Sequence, residues 1–437
     1  MPSGVPHIIG NEFAERFSFY GMRAILFVFM TTALKTHQGA ADLMQEAEAT
    51  AWVHTFITAV YFTPLLGGLL ADLAWGKYRT IMLLSLVYCA GHLVLAVQPT
   101  RQGLMLGLGL IALGAGGIKP CVSAHVGDQF GATNAHLLPR IYQWFYLAIN
   151  AGSALSMLLT PWLLKHYTAH VAFAVPGVLM LVATVVFWLG RHRFAHIPPD
   201  RAGFLRDLTQ PRFRRRLVGL LALYVLVAAF WSIFDQTSSR WVAQAEKMDR
   251  HFLGTEILPA AMQSLNPVLV LTLIPLLTLI VYPWLSQHMR LTAMRRIGAG
   301  FVVTLGAVAV SWWIERQIDA GDQPWIAWQG LAYLLITTAE VLVSVTCLEF
   351  SYTQAPPRLK SFIMSLYLLS VALGNFFTAQ LNSWILRHDP PSLAGAGYWA
   401  FFFKLLLGAT ALFLIVSMFY REQSSLADDP DPADAAP

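Results

Sequence analysis

Residues 191–216, RHRFAHIPPDRAGFLRDLTQPRFRRR, separate two long apolar halves of the chain. A helix needs about 20 apolar residues to cross a bilayer, and lipid tolerates only helices or closed barrels. The apolar stretches on both sides of 191–216 are too long for barrel strands, so we expect helices. Six candidates precede this segment and six follow it: 7–34, 48–73, 79–98, 102–124, 141–164, 171–190, 217–242, 266–288, 294–314, 325–354, 360–386 and 397–420.

Composition leads to the same class of protein. Of 437 residues, 56% are hydrophobic and 12% are charged, against roughly 25% charged in soluble proteins. The sequence therefore predicts an all-α polytopic membrane protein of twelve transmembrane helices. The net charge of +5 lies in short loops instead of a water-facing domain, so no nucleic-acid partner is expected.

Basic residues predict the orientation of these helices. Cytoplasmic loops of membrane proteins carry an excess of Lys and Arg. The arginines of 191–216, together with Lys77, Arg79 and Arg140, fall on one side of the predicted helices. That side is expected to be the cytoplasm, with both termini on it. The predicted organisation is an N-terminal bundle, a basic cytoplasmic linker, a C-terminal bundle and an acidic disordered tail: 1–190, 191–216, 217–423 and 424–437.

Two six-helix halves around a central site are the outline of the major facilitator superfamily. The loop between the second and third predicted helices, GGLLADLAWGKYRT at residues 67–80, resembles the loop motif of that superfamily at the same place. We therefore expect two six-helix bundles with the fold of that superfamily.

Charges inside the first helix are the strongest functional signal. An ionised side chain in the bilayer core costs about 3 kcal/mol on insertion scales, so each one suggests function. Glu12, Glu15, Arg16 and Arg23 share one stripe of about 100° on a helix. The stripe must face the bundle interior or water. A salt-bridge cluster that only packs helices is the alternative.

Two more ionisable residues lie in apolar segments of the first half. His54 has a side chain that can take up and release protons near neutral pH, although a hydrogen-bonded interior histidine is an equal alternative. Lys119 lies between a glycine-rich stretch and Pro120, which predicts a helix broken at this charge.

The second half carries carboxylates at Asp235, Glu340 and Glu349. Cations therefore predominate in the first half and carboxylates in the second. A zwitterion lying between them would place its carboxylate toward the first half and its ammonium toward the second. This distribution favours amino acids or peptides over sugars or lipids as substrates.

Six stretches, read together, resemble the proton-dependent oligopeptide transporter family. They occur in order along nearly all the predicted helices: NEFAERFSFYG at 11–21, GGIKPCVSA at 116–124, FYLAINAGS at 145–153, FWSIFDQ at 230–236, QSLNP at 263–267 and EFSYTQAP at 349–356. One position departs from the family pattern, because Phe19 stands where many members have a tyrosine.

The resemblance implies roles for individual residues. Those expected in proton coupling are Glu12, Glu15, Arg16, His54 and Lys119. Those expected to bind substrate are Tyr20, Arg23, Tyr61, Lys119, Tyr146, Asn150, Trp231, Asn266 and Glu349. Within the second set, Glu349 would receive the substrate's amino terminus, and Arg23 and Lys119 its carboxylate. Gates would pair Arg23 with Asp235 outside and Lys119 with Glu349 inside.

The function expected from these residues is proton-coupled import of di- and tripeptides by alternating access. We expect a multi-pass protein of the bacterial inner membrane that works as a monomer, without cofactor or metal. Transport of nitrate or another anion is the nearest alternative, but a carboxylate in the cleft would repel an anion. A receptor on a transporter fold is a further alternative. An enzyme is not expected, because the sequence has neither a Gly-x-Ser-x-Gly elbow nor His-rich ligand spacing.

Overall fold

The computed structural model describes residues 1–130, 134–199, 201–354 and 359–419. The predicted tail 424–437 and the end of the motif at 349–356 lie outside these residues. Most of the described chain is helical. The helices are α1 Val5–Thr32, α2 Glu46–Leu70, α3 Lys77–Val97, α4 Arg101–Gly127, α5 Leu138–His166, α6 Ala169–Leu189, α7 Arg201–Thr209, α8 Pro211–Phe234, α9 Arg240–Glu246, α10 Leu265–Leu276, α11 Tyr282–Ser286, α12 Ala293–Asp319, α13 Ala327–Glu340, α14 Thr346–Gln354, α15 Lys360–His388 and α16 Ala396–Phe419. A two-stranded antiparallel hairpin joins His251–Phe252 to Thr255–Glu256.

The helices pack as two groups. In the first, α1 contacts α5 and α6, and α4 contacts α2 and α3. In the second, α15 contacts α8, and α12 contacts α13 and α16. The groups meet where α2 packs on α15 and α5 packs on α10. The predicted all-α architecture of two bundles is confirmed.

Within the described residues, eleven helical segments are long and apolar enough to cross a membrane. The first helix, α1, is not among them although it has 28 residues, because four of its side chains carry charge. Glu12, Glu15 and Arg23 are nevertheless buried. The charges of α1 therefore face other helices, as the stripe predicted.

Within the described residues, three π-helical turns extend or interrupt long helices. They lie at Ala71–Trp75 after α2, at Leu277–Val281 between α10 and α11, and at Val341–Val345 between α13 and α14. A π turn contains an extra residue relative to an α turn and is often found at functional sites. The side chains after such a turn therefore point in directions that a regular helix would not give.

The prediction of a break at Lys119 is wrong. The helix α4 runs without interruption through Pro120 to Gly127. Proline removes one backbone hydrogen bond, but neighbouring helices can compensate for it inside a membrane protein. Gly67 of α2 allows such a close approach, because a Cβ added to it would lie 2.2 Å from the Gly116 carbonyl oxygen of α4. Close packing of α2 on α4 therefore holds the proline-containing turn in helical form.

The start of α1 lies beside the linker. The segment 191–216 contains the last residues of the 3-10 turn Gly190–Arg193, all of α7 and the start of α8. The rings of His7 and Phe194 are 6.4 Å apart and perpendicular. The amino-terminal end of α1 and the linker are thus on the same side of the molecule.

Candidate functional site

A buried charge cluster joins α1 to α4. Arg16 Nε donates to Glu12 Oε1 at 2.7 Å and lies 3.4 Å from Glu15 Oε2. Lys119 Nζ lies 3.1 Å from Glu15 Oε1. Glu15 is 0% exposed, so its carboxylate depends on these two cations for compensation. We call Glu12, Glu15, Arg16 and Lys119 the first-half cluster.

Phe19 contacts this cluster directly. The ammonium of Lys119 lies 4.0 Å from the centre of the Phe19 ring. A cation over an aromatic face is attracted by the ring quadrupole, by about 2 kcal/mol or more where water is excluded. The residue that departs from the family pattern therefore lacks a hydroxyl but still holds the lysine through its ring.

An ion pair connects the two bundles about two turns further along α1. Arg23 Nη2 donates to Asp235 Oδ1 at 2.5 Å and to Ser238 Oγ at 3.2 Å. Arg23 and Asp235 are only 4% and 2% exposed. Breaking a buried pair by removing one partner typically costs about 3–5 kcal/mol. The structure thus brings together the two residues predicted as the outer gate.

His54 extends this ion pair into a network. The amide of Asn375 donates to Asp235 Oδ2 at 2.6 Å, and its carbonyl oxygen lies 2.6 Å from His54 Nδ1. The other ring nitrogen of His54, Nε2, lies 3.0 Å from Ser239 Oγ. Since Asn375 Oδ1 can only accept, Nδ1 carries the proton that it donates to Asn375. His54 is therefore connected to the Arg23 and Asp235 pair through one asparagine. We call Arg23, Asp235, Asn375 and His54 the outer network.

Glu340 supplies an acidic group in the second bundle. Its Oε2 accepts a 2.6 Å hydrogen bond from Asn266 Nδ2, which also donates to Thr337 Oγ1 at 3.2 Å. The carboxylate interacts electrostatically with the hydroxyls of Tyr20 and Tyr146 of the first bundle. Among the described residues, no Lys, Arg or His forms an ion pair with Glu340. It is a carboxylate between bundles that has a hydrogen-bond donor but, in the described part of the chain, no cation within ion-pair distance.

Glu349 lies in a different environment. Its side chain is 56% exposed, and its Oε2 lies 3.1 Å from Nη1 of Arg296. Lys119 is instead held by Glu15. The structure therefore does not bring together Lys119 and Glu349, the predicted inner gate.

The other predicted binding residues lie near these groups. Tyr61 interacts electrostatically with Tyr20, Arg23 and Asp235. Trp231 is 7% exposed, and its ring nitrogen is buried without a partner within the described chain. The Asn150 amide of α5 is 6% exposed and donates to the Tyr146 carbonyl one turn before it.

Sequence reasoning missed two neutral residues and preferred one glutamate over another. Asn375 and Ser239 are fully buried in the outer network, but neither carries a charge that would have marked it. Both Glu340 and Glu349 are carboxylates of the second half in the sequence analysis, and the family resemblance favours Glu349 for substrate binding. An asparagine about four turns into an apolar helix was a signal that could have identified Asn375.

Two helical bundles that meet around buried ionisable side chains define the class of protein. It is a multi-pass membrane protein with the fold of the major facilitator superfamily. The ionisable side chains between the bundles differ in sign. The first bundle supplies the cations Arg23 and Lys119, and the second supplies the carboxylate of Glu340, which no described cation contacts.

The sequence profile of the POT family matches residues 78–210 and 203–390. The chain therefore belongs to the POT family, the proton-dependent oligopeptide transporters. Solute carrier family 15 member 2 of Rattus norvegicus is 35% identical over 397 residues, or 79% of this chain and 53% of that protein. Peptide transporter family 1 of Drosophila melanogaster is 35% identical over 366 residues, or 73% of this chain and 48% of that protein. The chain thus spans about half the length of these curated relatives.

Solved structures match over nearly the whole chain. The crystal structure of an auto-inhibited POT family peptide transporter aligns with a TM-score of 0.90 and 35% identity, covering 98% of this chain and 99% of that one. The structure of the POT family transporter PepTSo gives a TM-score of 0.87 and 37% identity, covering 96% and 98%. The family predicted from the six motifs is confirmed.

Proposed function

We propose that this protein imports di- and tripeptides together with protons by alternating access of one site between its two bundles. The observation that carries the proposal is the placement of Glu340. A carboxylate that lies between bundles without a cation in direct contact is costly, and it is stabilised when a cation binds to it. The ammonium of a peptide's amino terminus is such a cation.

The peptide's carboxylate would lie at the opposite end of the same site. Arg23 and Lys119 belong to the first bundle, and each is held by a carboxylate in this conformation. A peptide carboxylate competes with Asp235 and Glu15 for these cations. We therefore place the amino terminus at Glu340 instead of Glu349, and keep the carboxylate at Arg23 and Lys119. Asn150 and Asn266 are proposed to bind the peptide backbone. Tyr20, Tyr61, Tyr146 and Trp231 are proposed to line the side-chain pockets.

The outer network supports the alternating-access part of the proposal. With Arg23 bonded to Asp235, the bundles are joined on this side. Protonation of His54 adds a positive charge next to Asn375, which brings a second cation toward Asp235 and weakens the hold of Arg23. A proton on His54 and a peptide carboxylate at Arg23 therefore both favour separation of Arg23 from Asp235. Each shifts the equilibrium from the conformation in which this pair is closed to the one in which it is open.

The driving force is sufficient for accumulation. A proton moving inward gains about 2.3 kcal/mol per 100 mV of membrane potential. It gains about 1.4 kcal/mol more per pH unit. One coupled proton therefore supports roughly a hundredfold accumulation of peptide or more.

Orientation and assembly follow from the same proposal. The linker carries eight of the 29 Lys and Arg residues, and α1 starts beside it, so we place the linker and both termini in the cytoplasm. The halves 1–190 and 217–423 act as the two moving bundles, with 191–216 between them. The substrate site is formed between bundles of one chain, which is consistent with a monomer in the bacterial inner membrane.

Uptake by reconstituted protein tests the proposal. The full chain in proteoliposomes should accumulate a radiolabelled dipeptide when the exterior is acidic and the interior negative. The N-acetylated form of the same dipeptide lacks the ammonium for Glu340 and serves as the matched control. Equal uptake with and without the gradient, by protein shown to be folded, would refute proton-coupled import.

The Asn375→Leu variant tests the link between His54 and the gate. Leucine has similar volume but leaves Asp235 Oδ2 and His54 Nδ1 without their shared partner. Losing two buried hydrogen bonds costs about 2 kcal/mol or more, so we expect gradient-driven uptake to fall by roughly tenfold or more. Its dependence on external pH should also flatten. The measurement is initial uptake rate between pH 5 and pH 8.

Asn382→Leu is the matched control for Asn375→Leu. Asn382 lies on the same helix and is equally buried, but it accepts from Arg240 and donates to Tyr398. We expect its pH profile to keep the wild-type shape. If both variants changed the profile alike, the link between His54 and Asp235 would have no special role.

A further inference from the structure

A second buried histidine, His92 of α3, lies next to the first-half cluster. His92 is 1% exposed, and its Nε2 lies 2.8 Å from Oγ of Ser18, which is 0% exposed. Ser18 is on α1, three residues after Glu15, so it lies on the same side of the helix, one turn away. This arrangement puts an imidazole within one side chain of the carboxylate that holds Lys119.

Tyr88 makes a second connection. It lies one turn before His92 on α3, and the two rings are 5.0 Å apart. Its buried hydroxyl lies beside Ser18 and interacts electrostatically with Glu15. Tyr88, Ser18 and His92 therefore form a polar group packed against Glu15 in an otherwise apolar region.

The other face of the imidazole meets α6. Nδ1 is buried and faces the backbone at Phe173 and Gly177. A Cβ added to Gly177 would lie 2.8 Å from His92 Cβ, so the glycine makes room for this side chain. The imidazole is therefore enclosed by side chains and backbone of α1, α3 and α6.

The charges around His92 are few. From α1 it faces Ser18 and, beyond it, Glu15; from α3 it faces Tyr88. The neighbouring residues of α6, Phe173 and Gly177, are not ionisable. Glu15 is the one charged side chain of the described residues that acts on the ring electrostatically. A proton on His92 therefore acts on Glu15 above all other groups.

We propose that His92 is an additional proton-accepting residue of the transport cycle, coupled to Glu15. This inference rests on the proposed function. Neutral His92 accepts the Ser18 hydroxyl proton at Nε2. When His92 takes up a proton from the aqueous side, the imidazolium donates to Ser18 and its positive charge stabilises the Glu15 carboxylate. Lys119 is then no longer needed at Glu15 and is released toward the peptide's carboxylate. Loss of the proton to the other side returns Lys119 to Glu15.

Histidine hydrogen–deuterium exchange at the imidazole C2 position tests the proton-accepting role on the wild-type chain without transport. The exchange rate of each histidine reports its protonation state, and mass spectrometry resolves it by peptide. We expect the His92 rate to change sigmoidally between pH 4 and pH 9, with a transition that shifts in the Glu15→Gln variant. A pH-independent rate, or no exchange at any pH, would overturn the proposal.

Transport tests the coupling. We expect His92→Gln, which can still bond to Ser18, to lower gradient-driven dipeptide uptake by roughly threefold or more and to shift its pH of half-maximal rate by about half a unit or more. Counterflow exchange should stay within about twofold. His125→Gln is the control, because His125 is also 1% exposed but packs against the rings of Phe187 and Phe194. Its pH profile should match the wild type.

Coincident pH profiles of His92→Gln and wild type would refute the coupling. If His92→Gln does not fold, Ser18→Ala removes the connection and keeps the imidazole, and the same shift is expected. If the wild type itself accumulates no dipeptide under a gradient, the proposed function fails, and the exchange titration alone decides whether His92 takes up a proton.

Discussion

Dipeptide uptake is expected to fall by roughly 30-fold or more in Glu340→Gln, because truncating a buried charge pair costs about 2–5 kcal/mol. Glutamine keeps the hydrogen bond from Asn266 and the volume of the side chain, so the loss isolates the charge. The effect should appear in competition as well. Unlabelled dipeptide should displace a labelled one poorly, whereas N-acetylated dipeptide should bind wild type and variant about equally. The measurement is the concentration of dipeptide that halves counterflow.

Glu349→Gln is the matched control for Glu340→Gln. It also neutralises a glutamate, but one that lies in α14 instead of at the end of α13. Glu349 is exposed and bonded to Arg296, and exposed ion pairs contribute about 0–1 kcal/mol. We expect uptake within about threefold of wild type. The opposite result, a large loss in Glu349→Gln and little in Glu340→Gln, would return the amino terminus to Glu349, where the sequence motif first placed it.

The sequence reduced the candidates for the acid that binds the peptide's amino terminus to Glu340 and Glu349, but it could not decide between them. A separation of nine residues along a regular helix places two side chains on nearly opposite faces, so only one of them can point toward the other bundle. The π turn Val341–Val345 lies between them, and its wider turn changes the angular relation of everything that follows. The residues 341–345, VLVSV, contain no feature that predicts a π turn. The sequence therefore located the motif, but the direction in which its glutamate points could be seen only in the structure.

The stripe on α1 was predictable because its information is local. Glu12, Glu15 and Arg16 lie within five residues, and helical periodicity alone puts them on one face. Pairs between helices are different. Arg23 and Asp235 are 212 positions apart, and only the family resemblance, not physical spacing, suggested that they meet.

Neutral polar residues were the least predictable members of the site. In an apolar helix, most of them bond to their own backbone one turn earlier, as Thr410 does to the Leu406 carbonyl. Asn375 makes that bond to Val371 as well as its bonds to Asp235 and His54. Its connecting role depends on the positions of Asp235 and His54 in the folded protein. The sequence of α15 alone does not predict these contacts.

Glu15→Gln is expected to abolish gradient-driven accumulation while leaving exchange largely intact. Glutamine resembles a carboxyl group that is permanently protonated, so Lys119 loses the anion that holds it 3.1 Å away and no longer returns to the first-half cluster in each cycle. We expect peptide accumulation under an acid gradient to fall by roughly tenfold or more, to the level without a gradient. Counterflow needs no net proton movement and should stay within about threefold of wild type.

The control for Glu15→Gln is Glu315→Gln, which also removes a buried carboxylate. Glu315 is 7% exposed and accepts a hydrogen bond from Gln244 in the second bundle, away from α1 and α4. We expect its accumulation and counterflow to change together and modestly. The decisive quantity is the ratio of gradient-driven uptake to counterflow in each variant. A ratio in Glu15→Gln equal to that of wild type would mean that Glu15 holds the helices together without taking part in proton coupling, since a purely structural loss lowers both rates by the same factor.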